Sequence, residues 1–333
     1  MDWKSHRIDA LLEQALREDQ APRDTTTQLT IDPGLRATAS VIAREDLVVA
    51  GLGAIPRFLE IYARLDPRPQ AQTRFEVVSH PEIFDGVRVH AGQVLAVIRH
   101  NAQVLLSCER VILNLLQHLS GIATLTRKYA DAMQGTRARV LDTRKTVPGM
   151  RALEKYAVLC GGGTNHRIDL ASGILIKNNH IALGGGIVVV LKRALERRQP
   201  GQRVQVEVRT PEELDEALAH GAEAILLDNM TPKQVKASVE RIRSSQSGSS
   251  QPASSQTGSS QAGIAQPARS IPTEASGGIV LDNIRAYAET GVDFISVGAL
   301  THSARAADIS MSIVAEPGQE SLIANHGFDG HGI

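Results

Sequence analysis

The sequence predicts an α/β protein whose second half is a parallel α/β layer, either a barrel or an open doubly wound sheet. Three observations predict it. After about residue 136, short apolar segments (ARVLD, GILIK, RVQVEV, AILLD, TEAS, FISVG) alternate with helical ones such as PEELDEALAHG and TPKQVKASVERI. Before that, from about Ala37 to Ile98, β-like runs (ATASVIA, DLVVAG, RFEVVS, GQVLAVI) are separated by Gly, Pro and Asp. Finally, every strand of the second half ends on a polar, charged or glycine residue, as expected where strand ends converge on one mouth.

Composition bounds the rest. A chain of 333 residues, 42% apolar and 22% charged, can bury a large core in one or two domains. Its 36 basic and 36 acidic residues cancel, which argues against bulk attraction to nucleic acid or a membrane. No apolar run approaches the roughly 18–20 residues of a membrane span. Cys108 and Cys160 stand outside CxxC spacing, and MDWKSHRIDALLEQAL has no signal-peptide core, so a reducing cytoplasm is the expected compartment.

In chain order, residues 6–18 place Ile8, Leu11, Leu12, Ala15 and Leu16 at helical spacing, until PRDTTTQL breaks the pattern. Residues 102–119 form the strongest helix, with Val104, Leu105, Cys108, Val111, Ile112, Leu115, Leu116 and Leu119 on one stripe. At roughly 100° per residue, Arg110 falls nearly opposite that stripe, on a face with Gln103, Ser107 and Asn114. It is either a solvated surface arginine or one aimed at something outside its own core. PEELDEALAHG and TPKQVKASVERI each open on a Thr-Pro start signal. Residues 246–270 are five tandem pentapeptides, each opened by Gln. Their Ser, Gln, Gly, Pro and Ala cannot build a core, so a disordered insert spanning 244–270, with no catalytic part, is expected.

The strand ends carry the chemistry. ARVLD runs into Thr143, Arg144 and Lys145; GILIK ends on Lys177; RVQVEV carries Glu207; AILLD ends on Asp228; TEAS ends on Ser276, Gly277 and Gly278; FISVG ends on Gly298. The window Arg137–His180 holds eight cations against three acids, a formal +5 in a neutral chain. Like charges about 4 Å apart repel by roughly 4 kcal/mol per pair at an effective dielectric near 20, so cations gathered at one mouth call for a polyanionic ligand. Arginine suits planar carboxylate or phosphate, and lysine acts as a point charge. Glu207 and Asp228 suit ligand hydroxyls, or a hard cation such as Mg2+ riding on phosphates. LCGGGTNHR supplies His166 and Arg167 after close-approach glycines, and EASGGI and SVGAL follow late strands, where glycine amides commonly hold a phosphate. His166, His180 and His302 lack metal-ligand spacing, and neither a full GxGxxG nor a GxxxxGK[ST] occurs.

These residues form a recognisable set. LDTRKTVPGMRALEKYAVLCGGGTNHRIDL, with LIKNNHI, VEVRT, LLDNM, EASGGI and SVGALTHS, resembles the quinolinate phosphoribosyltransferase family, the decarboxylating enzymes also called nicotinate-nucleotide pyrophosphorylases. The match runs in order from the N-terminal helix to about residue 313 and fails only at the pentapeptides. The resemblance implies an α/β sandwich over residues 1–114, with 304–333 packing back on it. It also implies an incomplete TIM-like α/β barrel of about seven strands over 115–303. The assembly implied is a domain-exchanged homodimer, or a hexamer built from it. The implied reaction joins quinolinate and phosphoribosyl pyrophosphate (PRPP) into nicotinate mononucleotide, with release of pyrophosphate and CO2 and with Mg2+ as cofactor.

By the same resemblance, Arg144, His166 and Arg167 grip the two quinolinate carboxylates beside Thr143, and Lys145 and Lys177 bear on the anionic charge. Glu207 and Asp228 face the ribose hydroxyls and hold Mg2+, directly or through water. Ser276, Gly277 and Gly298 cradle the 5′-phosphate, and Arg110 enters the neighbouring subunit's site. Three rivals remain. A phosphoribosyltransferase for a monocarboxylate base predicts no CO2. A lyase forming a Schiff base on Lys177 leaves Arg144, Lys145 and Arg167 unexplained. An anion-binding sensor has no use for Glu207 and Asp228.

Overall fold

The computed structural model describes residues 1–247 and 270–319. These form two compact units, one of residues 1–127, 146–162 and 300 onward, the other of 128–145 and 163–299.

The first unit opens with α1 (His6–Glu18), which buries Ile8, Leu12 and Leu16. In α2 (Thr25–Thr30), Asp24 caps the helix by accepting the Thr27 amide at 3.1 Å. β1 (Arg36–Ala43) alternates strictly, with Ala37, Ala39, Val41 and Ala43 buried on one face. Then come β2 (Leu47–Val48), α3 (Ala54–Leu65), β3 (Glu76–Val78), β4 (Arg88–Val89) and β5 (Val94–Asn101), with β1 antiparallel to β5 and β5 to β3.

α4 spans Ala102–Ala132, thirteen residues beyond the expected end at 119. The helix runs through Ser120 and Gly121, and tertiary contacts occupy both. Ser120 Oγ accepts the Ala50 amide at 3.1 Å, and a Cβ at Gly121 would lie 2.0 Å from the Arg305 carbonyl oxygen. The polar face expected around Arg110 is also only half solvated. Arg110 and Asn114 are exposed, but Gln103 and Ser107 are buried. Gln103 donates to the Ile31 carbonyl at 2.7 Å and Ser107 to Asp24 at 3.2 Å.

The second unit is built on six parallel strands. β6 (Arg139–Leu141) starts it; α5 (Arg151–Cys160) follows in sequence but belongs to the first unit. Then come β7 (Ile174–Ile176), α6 (Asn178–Gly184), α7 (Ile187–Arg197), β8 (Val204–Val208), α8 (Pro211–Ala219) and β9 (Ala224–Asp228). α9 (Pro232–Ser247), β10 (Thr273–Ser276), α10 (Leu281–Ala288) and β11 (Phe294–Ser296) complete the alternation; α11 (Ala299–His302) follows, and from Leu300 on it belongs to the first unit. The strand order is β6-β11-β10-β9-β8-β7. A single parallel bridge, Leu141 to Thr164, adds a seventh position beside β6, so six strands and one bridge stand where about seven strands were expected.

All six strands contribute to one cavity of about 280 Å³, among them Leu141, Ile174, Gln205, Ala224, Glu274 and Phe294. A flat sheet cannot do this, so the sheet is curled. The outer faces are apolar, as helix-covered parallel strands require: Val204, Val206 and Val208 of β8 are fully buried. Both Thr-Pro signals mark helix starts. Thr210 accepts the Glu213 amide at 3.2 Å, and Thr231 accepts the Gln234 amide at 3.4 Å.

Residues 244–247, expected to belong to the disordered insert, instead continue α9. Ser244 and Ser245 bond back to the Glu240 and Ile242 carbonyls, which lets serine stay helical. Most of the pentapeptide segment and residues 320–333 lie outside the described residues. Of the 304–333 segment, β12 (Ile309–Ala315) pairs antiparallel with β1, from Ala37–Ala315 to Ala43–Ile309.

Candidate active site

The C-terminal ends of the six strands present the predicted residues in sequence. Past β6, Asp142 is fully buried and its Oδ1 accepts the His166 amide at 2.8 Å. Thr143 Oγ1 accepts the Lys145 amide at 3.1 Å, a tight turn with Arg144 at its centre. Burial lowers the proton affinity of Arg167, and the like charge of Arg144 lowers it further. Two guanidiniums separated by 22 residues of sequence are therefore held within electrostatic reach of each other. Asp169 lies within electrostatic reach of both and offsets part of the repulsion; two cations against one acid still favour a further anion.

The acids lie on the neighbouring strands. Glu207 of β8 is buried at 7% exposure, and its Oε2 sits 3.7 Å from Lys177 Nζ at the end of β7. Arg209 bridges the two acids, 3.8 Å from Glu207 and 3.3 Å from Asp228. Asn229 adds a 3.0 Å bond to Asp228 and donates its own amide to the Ser276 carbonyl at 2.8 Å, which ties the end of β9 to that of β10. Asn229 has φ 55°, and Gly277 follows Ser276 at φ 92°. Ser276, Gly277 and Gly298 are all half-buried at adjoining strand ends.

Four groupings result: Arg144 with Arg167, Lys177 with Glu207, Glu207 and Asp228 around Arg209, and Asp228 with the Ser276–Gly277 turn. Arg167 Nη1 donates to the Gly173 carbonyl at 2.8 Å, at the start of β7, while Lys177 Nζ faces Glu207 past the end of that strand. Lys145 is exposed, and Arg110 lies exposed in the first unit. Lys177, 49% exposed and facing a carboxylate, lacks the desolvation that activates a Schiff-base lysine.

Both His166 ring nitrogens are engaged within the protein. Nδ1 accepts the Arg167 backbone N–H at 2.7 Å, and Nε2 faces Glu274 at 3.3 Å. Glu274 is 4% exposed and also accepts Gln205 at 2.8 Å. Burial works to raise its pKa, but the bonds from His166, Gln205 and Ser296 outweigh that and hold the carboxyl below its usual range.

Among the described residues, no three His, Cys, Asp or Glu side chains cluster as metal ligands. Glu207 and Asp228, spaced by a guanidinium rather than by a third acid, fit Mg2+ only as a partial donor set. That is the usual case for this ion, which completes its octahedron with substrate phosphates and water.

Sequence reasoning passed over Asp142, Gln205, Arg209 and Glu274. Period-two alternation held the signal for three of them. Gln205, Glu207 and Arg209 share one side of β8 and its exit, and Glu274 shares the side of Ser276 on β10.

Comparison with known proteins agrees along nearly the whole chain. The family model for the quinolinate phosphoribosyl transferase C-terminal domain matches residues 122–312, and that for the N-terminal domain matches 24–120. The chain is 40% identical over 303 residues to nicotinate-nucleotide pyrophosphorylase (carboxylating) of Mycobacterium leprae, covering 91% of this chain and 95% of that one. It is 38% identical over 307 residues to the probable Bacillus subtilis enzyme of that name, covering 92% and 93%. Among solved structures, NadC from Streptococcus pyogenes superposes with a TM-score of 0.81 at 33% identity, covering 95% of this chain and 99% of that one. Nicotinate-nucleotide pyrophosphorylase from Francisella tularensis gives 0.75 at 32% identity, covering 92% and 97%.

Proposed function

The chain belongs to the quinolinate phosphoribosyltransferase family, and from that premise we propose that its barrel mouth transfers the phosphoribosyl group of PRPP to quinolinate with loss of CO2. The observation that carries this reading is the pairing of like charges, Arg144 near Arg167, next to a separate acidic patch at Glu207 and Asp228. A dicarboxylate answers the first feature, and ribose hydroxyls with a pyrophosphate answer the second.

In this reading the ring nitrogen of quinolinate forms a bond to ribose C1 as the C1–oxygen bond to pyrophosphate breaks, and the departing oxygen keeps the electron pair. Arg144 and Arg167 hold the carboxylates, with His166 beside them. Lys145 and Lys177 meet the pyrophosphate charge as it grows, which is stabilisation made mostly in the transition state. Glu207 and Asp228 fix the ribose through its hydroxyls. Thr143 holds the loop that carries Arg144. The Ser276–Gly277 turn and Gly298 receive the 5′-phosphate on backbone amides. Glu207 and Asp228 are also the residues that would hold Mg2+, which when bound neutralises phosphate charge.

Alkylation leaves the ring nitrogen cationic. The C–C bond to the adjacent carboxylate then breaks and CO2 leaves; the electron pair stays on the ring carbon, stabilised by the adjacent cationic nitrogen, until that carbon takes a proton. The products are nicotinate mononucleotide, pyrophosphate and CO2. Positioning supplies most of the acceleration. In the same reading the enzyme is cytoplasmic and a homodimer, or a hexamer built from three such dimers, with Arg110 completing the neighbouring subunit's site.

The test is release of labelled CO2 from carboxyl-labelled quinolinate. Release that depends on both PRPP and Mg2+ supports the reading. No release, with nicotinate consumed instead, would replace it with the monocarboxylate reading.

A further inference from the structure

Glu274 is a buried acid that the proposed mechanism does not use. It lies on β10 two residues before Ser276, one step deeper on the same side of the strand. At 4% exposure, its charge has been taken out of water at a cost that only specific partners offset. Its Oε2 has two donors, Gln205 Nε2 at 2.8 Å and His166 Nε2 at 3.3 Å, and Ser296 also bonds to the carboxylate.

What lies beyond His166 gives the acid a purpose. A backbone N–H can only donate, so the 2.7 Å bond from the Arg167 amide makes His166 Nδ1 the acceptor. The ring proton must then sit on Nε2, facing Glu274. Asp142 holds the same peptide from the other side through the His166 amide at 2.8 Å. The Arg167 guanidinium is fixed in turn by the Gly173 carbonyl at 2.8 Å. The chain of contacts runs Glu274, His166 ring, Arg167 backbone, and only then the guanidinium.

Building on the quinolinate reading above, we infer that Glu274 is a positioning residue: its carboxylate locks His166 as the Nε2–H tautomer, and the locked ring sets the place where Arg167 meets a substrate carboxylate. The chemistry explains why an acid is needed. In Glu274→Gln the new amide NH2 has two places to go. Facing His166, it opposes donor to donor and drives the proton to Nδ1, against the Arg167 N–H. In the place of Oε1, it is a buried donor with at best the Ser296 hydroxyl to accept it, and the charge-assisted bond to His166 is lost.

Two measurements test this. In the first, 15N NMR of histidine-labelled wild-type protein reads the His166 tautomer. A neutral ring protonated at Nε2 is expected; protonation at Nδ1, or averaging of the two forms, overturns the inference whatever the variants do. In the second, steady-state kinetics of Glu274→Gln should show KM for quinolinate raised about 10- to 100-fold, the scale of a misplacement near 1 Å. KM for PRPP and the melting temperature should stay close to wild type. An unchanged quinolinate KM overturns the inference, as does a parallel rise in both KM values with a lower melting temperature, which would mark a merely structural acid. Wild-type CO2 release serves as the reference. Its absence would count against the quinolinate reading, while the NMR result would still decide the Glu274 geometry.

Discussion

Gly277 and Gly278 are adjacent, both have left-handed φ (92° and 63°), and both sit in the turn assigned to the 5′-phosphate, yet their surroundings differ. A Cβ on Gly277 would lie 2.2 Å from Asn229 Oδ1 and 2.9 Å from the Asn229 backbone nitrogen. A Cβ on Gly278 would meet nothing within 4 Å. Each Gly→Ala change carries the left-handed penalty of about 1–2 kcal/mol. Only Gly277→Ala also overpacks. The first contact is more than ~1 Å inside van der Waals distance and the second about 0.5 Å. A side-chain rotation relieves the first contact but not the second. The Asn229 amide is tethered to the Ser276 carbonyl at 2.8 Å, so the whole turn must shift.

A shift of half to one ångström is worth up to about 100-fold in kcat/KM. Gly277→Ala should therefore lose ~10- to 100-fold in kcat/KM for PRPP. Gly278→Ala should lose stability by about 1–2 kcal/mol and little activity. Steady-state kinetics with urea unfolding of both proteins decides it. Equal kinetic losses in the two variants would refute the close-packing argument.

Three further outcomes are expected. His100, 1% exposed, is pushed down to about 4 by burial and by the nearby Arg36 charge. Its folded pKa lies below the unfolded value near 6.5, so the unfolded chain binds the proton first as pH falls. That stability is present above about pH 6.5 and is lost toward pH 4, by about 3 kcal/mol. Urea unfolding in His100→Gln should be flatter across that window, and an identical slope would contradict the assignment. Burial and Asp85 push the Cys160 thiol up to about 11, and burial pushes Cys108 higher still. Native protein should therefore resist iodoacetamide at pH 8 and label quickly in urea; fast native labelling would show that the thiols are exposed. Deletion of 248–269, outside the described residues, should leave turnover near that of wild type, because its Ser, Gln, Gly, Pro and Ala composition cannot build a core; a folded but inactive product would assign the segment a role.

Much of the architecture was legible because its signals are local. Six strand segments, two Thr-Pro helix starts and the α1 stripe each follow from a pattern within a dozen residues. The length of α4 was not legible from the stripe over 102–119; past it, tertiary contacts such as the Arg305 backbone against Gly121 accompany the helix. In the site, the charged strand ends were legible because their residue types are unusual there. Arg209 and Glu274 were missed for a different reason. Arg209 stands just past a strand end and resembles an ordinary helix-start residue, while Glu274 made its strand look poorly apolar. Only the curled sheet shows that Glu274 faces inward, to Gln205 across β9 and to His166 from the loop beyond β6.

The account rests on arginines from distant parts of the chain being gathered to neutralise a dicarboxylate. Calorimetric titration of quinolinate into wild type, Arg144→Ala, Arg167→Ala and the double variant tests this most directly. A lost charge-assisted contact is worth about 1.5–3 kcal/mol, so each single variant should bind roughly 10- to 150-fold more weakly, and the double variant should show no measurable binding. Folded single variants that bind quinolinate as tightly as wild type would contradict the account.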